Sequence, residues 1–288
     1  MIETATPTAV IPAPRRPDER PRRRPALSPS RAGDFKQCPL LYRFRVVDRL
    51  PETRTAAQLR GIVVHAVLER LFGLDPPHRV PARAHALLAE VLGELAPEDR
   101  ELLGEDHGAG RLVDAYFAME DPRRLQPEAC EVFLEADLGS GVGLRGYVDR
   151  LDVSPAGDVR IVDYKTGSAP REVFEARALF QLKFYALVLL RSRGVLPRQL
   201  RLMYLADGQS LIHSPGRDEL ERFARTLTAL WEAVLRAAPT GDFRPNPGRM
   251  CSWCSHQALC PAFGGTPPAY PGWPDDHEAA GPGETAAP

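Results

Sequence analysis

Apolar residues in the N-terminal part of the chain recur at the spacing of an α-helix. Residues 56–72 place their apolar side chains on one helical face, and this pattern predicts a helix that ends at Gly73. An earlier helix is predicted to begin after Ser28 or Ser30, either of which can cap it, and to carry Cys38 near its end.

The pattern changes from helical spacing to strand-like alternation near residue 129. Three apolar-alternating runs follow, separated by turns rich in Gly and Asp, and they predict an antiparallel meander. Helical patterns precede and follow these strands, so the expected fold class is α/β (α+β), with helices flanking a sheet. The other expected elements are two or three helices in an insertion at about 75–125, a helix over 171–193, a strand over 199–206 and a helix over 218–238.

Both ends of the chain are rich in proline and lack periodicity. We therefore predict a disordered arm over residues 1–26, one folded domain over 27–264 and a disordered tail over 265–288. The folded domain closes with an irregular, cysteine-rich segment at 245–264. Arginines crowd the arm, where they either bind phosphate loosely or form a solvated tail. Because the net charge is -1, any basic surface must be local.

No apolar run reaches the roughly 18 to 20 residues that span a bilayer, and the start of the chain lacks the apolar stretch of a secretory signal. These features predict a cytoplasmic protein with no membrane partner. The five cysteines are an odd number, which favours metal or cluster ligation over a disulfide framework. Cys130 is the exception, because its apolar strand neighbours predict an ordinary buried thiol.

Asp149, Asp163 and Lys165 form the most informative group of polar residues. Residues two apart share a strand face, so Asp163 and Lys165 point the same way, and the turn at 155–158 returns Asp149 toward them. Carboxylate oxygens on rigid strands suit Mg²⁺ or Mn²⁺, and a nearby ammonium can stabilise charge on a phosphate. The group predicts a metal-dependent hydrolytic centre. The simpler alternative is an Asp–Lys ion pair on a surface hairpin.

Four further residues can join this group. Glu135 lies on the preceding strand and can face the same cleft. His65 lies on a helix and is a candidate imidazole ligand, although a buried core histidine is the simpler interpretation of this residue alone. Gln181 and Tyr185 are four residues apart, so they project from one face of the next helix.

The order of these residues resembles the PD-(D/E)XK nuclease superfamily and, more narrowly, its RecB-like exonuclease branch. The motifs are helix-borne His65, GYVDR at 146–150, IVDYKTG at 161–167 and QLKFYA at 181–186. The likeness covers about residues 27–264. It implies a restriction-endonuclease-like core with a central mixed β-sheet and an N-terminal helical region. It also implies a DNA nuclease that acts on single strands or duplex ends in repair or recombination.

The resemblance implies a role for each matching residue. His65, Asp149 and Asp163 are expected to be side-chain ligands of Mg²⁺ or Mn²⁺, together with the main-chain carbonyl of Tyr164. Lys165 is expected to be the catalytic lysine. The remaining expected site residues, which contact DNA or support the site, are Gln181, Tyr185 and Glu135.

Three cysteines gather in one short loop at spacings of three and six residues, and they are Cys251, Cys254 and Cys260. A fourth ligand must come from elsewhere, and Cys38 is the candidate. One upstream cysteine with three near the C-terminus is similar to the AddB-type members of the branch, which implies a 4Fe–4S cluster. Four thiolates also suit a structural zinc. Either centre would join the two ends of the domain.

Two other functional hypotheses stay open. The chain has no GxxxxGK[ST] nucleotide-binding motif, which is typical of a nuclease subunit that acts only with a helicase or another repair partner. The third hypothesis is a cluster-stabilised module that binds nucleic acid without cutting it.

Overall fold

A mixed six-stranded sheet forms the centre of the protein. The computed structural model describes residues 26–105, 107–139, 141–169 and 175–273, with side chains from residue 178 onward in the last range. The strands are β1 (Ala26–Leu27), β2 (Pro127–Asp137), β3 (Gly143–Val153), β4 (Val159–Lys165), β5 (Gln199–Tyr204) and β6 (Gln209–His213). The strand order is β1-β3-β4-β5-β6, and β2 pairs with the other edge of β3.

The sheet contains the predicted antiparallel meander, formed by β2, β3 and β4. Strand β5 then pairs in parallel with β4, which makes the sheet mixed, as expected. Two short strands were not predicted: β1 pairs in parallel with the start of β3, and β6 pairs antiparallel with β5.

Helices cover both faces of this sheet. In the described ranges they are α1 (Pro29–Gln37), α2 (Pro39–Tyr42), α3 (Ala56–Phe72), α4 (Pro81–Glu94), α5 (Pro97–Leu103), α6 (Ala109–Met119), α7 (Glu175–Arg193) and α8 (Arg217–Ala237). The Ser28 side chain accepts a hydrogen bond from the N–H of Arg31 at 3.3 Å, so Ser28 is the cap of α1. Gly73 ends α3, as predicted. None of the described helices is long and apolar enough to cross a membrane.

Two apolar cores lie on opposite faces of the sheet. The α7–α8 core joins one face to α1, α7 and α8, and it includes Leu151, Ile161, Leu182 and Trp231. The α3–α6 core joins the other face to α3, α4 and α6, and it includes Val63, Leu88, Val113 and Tyr164. The segment predicted as an insertion therefore supplies much of the cover for one sheet face.

Strands β3 and β4 separate at one end of their pairing. Their ladder ends at the pair Arg150 and Val162. Beyond this pair, Asp149 lies on β3, and residues 163–165 continue along β4 beside β5. We call these four residues, Asp149 and 163–165, the fork.

Strand alternation reverses just beside the fork. Cys130 packs against the α3–α6 core, whereas Val132 packs against the α7–α8 core. Residues two apart normally share a strand face. Between them, Glu131 has a φ of 47°, in the left-handed region that L-residues other than Gly seldom adopt. Because of this local turn of the backbone, Cys130 and Glu131 both lie on the α3 side of the sheet.

The C-terminal boundary of the folded domain lies later than predicted. The Tyr270 hydroxyl donates a hydrogen bond to the carbonyl of Ala238 at 2.5 Å, and the ring of Trp273 stacks on Phe243. The predicted tail start at residue 265 is therefore wrong, because these aromatic side chains pack against the α7–α8 core. The predictions of disorder for the arm, and for the tail after residue 273, fall on residues 1–25 and 274–288, outside the described ranges.

Candidate metal-binding and catalytic site

The fork holds two buried carboxylates. The side chain of Asp149 accepts the main-chain N–H of Tyr164 at 2.7 Å, in place of a strand partner. Asp163 is 1% exposed, and neither of its carboxylate oxygens accepts a hydrogen bond from the described residues. Only an ion-pair contact of 2.8 Å joins Asp163 Oδ2 to Lys165 Nζ. A buried carboxylate with so few donors would be stabilised by a cation.

Three side chains converge beside the fork: His65 from α3, Glu131 from β2 and Asp149 from β3. Each offers one ligand atom, and these atoms lie within 4.8 Å of one another. We call them the ligand group. His65 Nδ1 is 3.5 Å from Asp149 Oδ2 and 3.9 Å from Glu131 Oε1.

The second ring nitrogen of His65, Nε2, lies 2.9 Å from the carbonyl oxygen of Tyr164. In the neutral tautomer with the proton on Nε2, the imidazole donates to this carbonyl and turns the lone pair of Nδ1 toward the carboxylates. That is the arrangement in which metal-ligating histidines are usually held. The Tyr164 carbonyl, predicted as a metal ligand, thus contacts His65 in this structure.

Glu131, rather than Glu135, is the carboxylate that β2 brings to the site. The register of β2 on β3 places Glu131 opposite Asp149. Glu135 pairs with Arg145 further along the hairpin, and its side chain is exposed. The prediction of Glu135 is therefore corrected. Simple alternation along β2 puts Glu131 and Glu135 on the same face, so only the register of β2 on β3 distinguishes them.

Gln181 and Tyr185, the site residues predicted on α7, are linked to the fork by a hydrogen bond to Lys165. Lys165 Nζ donates to Gln181 Oε1 at 2.9 Å, and Gln181 Nε2 donates to the Tyr185 hydroxyl at 3.3 Å. Gly146 on β3 leaves room for this chain of contacts, because a Cβ at this position would lie 2.8 Å from a ring carbon of Tyr185.

The chain matches known proteins along most of its length. The sequence profile of the PD-(D/E)XK nuclease superfamily matches residues 26–261, a range that includes the fork, α3 and α7. The chain belongs to the PD-(D/E)XK nuclease superfamily. Nucleases of this superfamily use divalent metal ions, and the ligand group has donor atoms that suit such an ion.

Individual proteins of similar sequence or fold include two phage proteins and one solved structure. The gene 69 protein of Mycobacterium phage D29 is 30% identical over 275 residues, which cover 83% of this chain and 97% of the phage protein. The gene 69 protein of Mycobacterium phage L5 is 28% identical over 126 residues, covering 43% of this chain and 41% of that protein. The crystal structure of a protein from Eubacterium rectale that is named as a candidate exonuclease has a similar fold, with a TM-score of 0.54 and 12% sequence identity. The match covers 80% of this chain and 87% of the Eubacterium rectale chain. This last likeness shows a shared fold.

Burial and close charges determine the protonation of the fork and the ligand group. Burial raises the pKa of Asp149 to about 7, although His65 opposes the shift. Burial acts to lower the pKa of His65, but Asp149, Glu131 and Asp163 together raise it to about 9. Burial also disfavours the charge on Lys165, yet the Asp163 and Asp149 carboxylates hold its pKa above the usual value. Protons and a divalent cation therefore compete for the same buried groups.

Arg150 holds the side chain of Tyr164 in place on the α3 side of the sheet. Its side chain is fully buried, and its Nη1 donates to the Tyr164 hydroxyl at 2.6 Å and to Glu120 Oε1 at 2.5 Å. Arg201 from β5 also contacts Glu120, at 3.0 Å. The network fixes Tyr164, and with it the site residues on either side. Sequence patterns did not single out this arginine, and the one available signal was a charged residue inside an apolar strand run.

Four cysteines line one cavity of about 130 Å³, and they are Cys38, Cys251, Cys254 and Cys260. No three of their sulfur atoms lie within 4.8 Å of one another in the described part of the chain. The N–H of Asn246 donates to Cys38 Sγ at 3.4 Å, and that of Gly248 donates to Cys251 Sγ at 3.3 Å. Cys130 lies apart on β2, where burial raises the pKa of its thiol to about 12.

The affinity of the ligand group for Mn²⁺ is expected to be about ten-fold or more higher at about pH 8 than at about pH 6. Asp149, with a pKa of about 7, and His65, with a pKa of about 9, must release their protons to bind the ion, and this release becomes less costly as the pH rises. Isothermal titration calorimetry at the two pH values measures the affinity. A flat or inverted pH dependence contradicts the expectation, and His65→Asn should weaken the dependence.

Gly146→Ala is expected to reduce nuclease activity by about ten- to hundred-fold, because the added methyl displaces Tyr185 and, through Gln181, the ammonium of Lys165. A nuclease assay with a thermal melt of each protein measures both activity and folding. Gly33→Ala in α1 is the matched control, since a Cβ there meets nothing within 4 Å. Equal activity of the two variants would show that the contact between Gly146 and Tyr185 has no role.

Proposed function

We propose that this chain is a Mg²⁺- or Mn²⁺-dependent deoxyribonuclease of the RecB-like branch, an exonuclease that acts on single strands or duplex ends in DNA repair or recombination. One observation carries the proposal: the ligand atoms of the ligand group lie within 4.8 Å of one another, and Asp149 of this group interacts electrostatically with Asp163 and Lys165. Carboxylate oxygens with one imidazole suit these ions. Membership of the nuclease superfamily supports phosphodiester hydrolysis as the reaction.

In this proposal, four side chains hold the ion, and they are His65, Glu131, Asp149 and Asp163. The Tyr164 carbonyl, predicted as a further ligand, instead accepts the His65 Nε2 proton and orients the ring. Asp163 fits this role, because its Oδ1 has no hydrogen-bond partner among the described residues and its Oδ2 contacts the Lys165 ammonium. A bound divalent ion supplies a water of lowered pKa and neutralises charge on the phosphate.

Lys165 is proposed as the catalytic lysine. Its ammonium is held between Asp163 Oδ2 at 2.8 Å and Gln181 Oε1 at 2.9 Å. Because its pKa is raised, it stays charged at neutral pH and can orient the attacking water or stabilise charge on the scissile phosphate. Gln181 and Tyr185 then act as positioning residues, since they hold this ammonium from α7.

We also propose that the cysteine cavity holds a 4Fe–4S cluster. Tetrahedral zinc needs sulfur atoms about 3.8 Å apart, because each Zn–S bond is about 2.3 Å long. The four cysteines line one shared cavity, which leaves room for a larger centre between them. Main-chain N–H donors to Cys38 and Cys251 are typical of cluster ligands, whose potentials such bonds tune.

The proposed cluster joins the two ends of the folded domain. Cys38 lies at the junction of α1 and α2, and the other three cysteines lie in the C-terminal segment. Ligation closes a long loop of chain, and this closure lowers the entropy of the unfolded state. The role proposed for the cluster is therefore structural.

Asp163→Asn and Glu131→Gln are expected to reduce metal-dependent cleavage of a labelled DNA strand by about a hundred-fold or more, because each removes a proposed ligand. Glu135→Gln is the matched control on the same strand as Glu131. It should stay within about two-fold of the unchanged protein, because its side chain is exposed away from the ligand group.

Cleavage that survives Asp163→Asn would contradict the proposed centre. Equal losses of cleavage for Glu131→Gln and Glu135→Gln would show that Glu135 contributes to the site as much as Glu131 does. Activity that needs an added helicase, yet is still abolished by Asp163→Asn, would identify a partner-dependent nuclease subunit.

Protein purified without oxygen is expected to be brown and to contain about four iron and four sulfide per chain. Cys254→Ser should remove the colour and lower the melting temperature, because the cluster stabilises the closed domain. Cys130→Ser is the matched control and should keep the cluster, since Cys130 lies apart on β2. Metal analysis and the visible spectrum measure the outcome. A colourless protein with one zinc per chain would contradict the cluster.

A further inference from the structure

Two exposed aromatic residues lie opposite each other on the β2–β3 hairpin. Phe133 and Tyr147 are paired across the strands, and their side chains are 40% and 39% exposed. Their ring centres are 5.2 Å apart, with 55° between the planes. We call Phe133 and Tyr147 the aromatic pair. Rings of this size are usually covered, so an exposed pair at a defined position is a candidate contact surface.

The aromatic pair faces the same side of the sheet as the ligand group. Val132 and Leu134 pack into the α7–α8 core, so Phe133 between them points to the opposite face. Glu131 points to that face too, because it approaches His65 on α3. Two residues along a strand span about 7 Å. Phe133 therefore lies about that distance from Glu131 along β2, and Tyr147 lies about that distance from Asp149 along β3.

Charged residues bound the aromatic pair on both sides. Along the hairpin, one neighbouring pair is Glu131 opposite Asp149, and the other is Glu135 opposite Arg145. The apolar surface is therefore only two rings wide. A stable protein interface buries roughly 1,200 Å² or more, so this surface is too small for one. Its size fits a single flat aromatic group that belongs to a charged ligand.

We propose that the aromatic pair stacks one unpaired base of the DNA strand whose phosphate lies at the ligand group. This inference rests on the proposed nuclease function and specifies its substrate as a strand with unstacked bases. Aromatic side chains stack on any base, because every base has a π-face. In a duplex, neighbouring bases already cover both faces, so only a single strand or a frayed end presents a free face.

The test uses the full chain with EDTA, so that binding is measured without cleavage. The probe is a fluorescently labelled single-stranded oligonucleotide, compared with the same oligonucleotide carrying abasic sites throughout and with a blunt duplex of equal length. The variants are Phe133→Leu/Tyr147→Leu, which keeps apolar side chains but removes both rings, and Tyr147→Phe, which keeps the ring. Val153→Ala is the matched control, since Val153 is an exposed residue at the far end of β3.

The unchanged protein should bind the normal strand about ten-fold or more tightly than the abasic strand. Phe133→Leu/Tyr147→Leu should lose that preference by binding the normal strand about ten-fold more weakly, with no further loss for the abasic strand. Tyr147→Phe and Val153→Ala should bind like the unchanged protein. Thermal melts show whether each variant folds. If the double variant does not fold, Phe133→Leu alone should give a partial loss of the preference.

An abasic strand that binds as well as the normal strand, or a preference that survives in a folded double variant, overturns the aromatic pair as a stacking site. Equal affinity for the blunt duplex and the single strand also overturns it. Failure of the nuclease function is seen separately, as cleavage that is absent from the unchanged protein or that survives Asp163→Asn. The two proposals can therefore fail independently.

Discussion

The hydrogen bond from the Tyr164 N–H to the Asp149 carboxylate is the contact on which the rest of the site depends. Strands β3 and β4 separate at Arg150 and Val162, and a buried main-chain donor beyond that point needs an acceptor. The Asp149 side chain supplies it. The strands can therefore diverge without an unsatisfied donor, and the gap between them admits ligands from two other elements, α3 and β2.

The gap is also an electrostatic compromise. Buried carboxylates are costly unless cations or donors lie nearby. Here α3 brings His65 and β4 brings Lys165, and each approaches one of the two fork aspartates. These contacts compensate only in part, because both Asp163 oxygens lack hydrogen bonds from the described residues. A divalent cation would neutralise the remaining negative charge, so the burial of these carboxylates also favours metal binding.

The two faces of the sheet have different roles in holding the fork rigid. On the α3 side, Arg150 ties the Tyr164 hydroxyl to Glu120, so the ring cannot shift within its core. On the α7 side, Gln181 and Tyr185 hold Lys165, in a space that exists because residue 146 is a glycine. The alternating side chains of β4 are thus fixed from opposite directions.

The sequence by itself determined the local structure and most of the site. The helical spacing of apolar residues and the Ser28 cap located the helices, and the alternation of apolar residues located the meander. The two-residue separation of Asp163 and Lys165 showed that their side chains share one face of β4. Only the tertiary structure decided that Glu131, and not Glu135, lies beside His65 and Asp149, that Arg150 holds Tyr164 and that Trp273 packs on the core. The physical reason is range. Caps and periods act between residues close in sequence, whereas a backbone turn at Glu131 or a buried guanidinium is stable only through partners far along the chain.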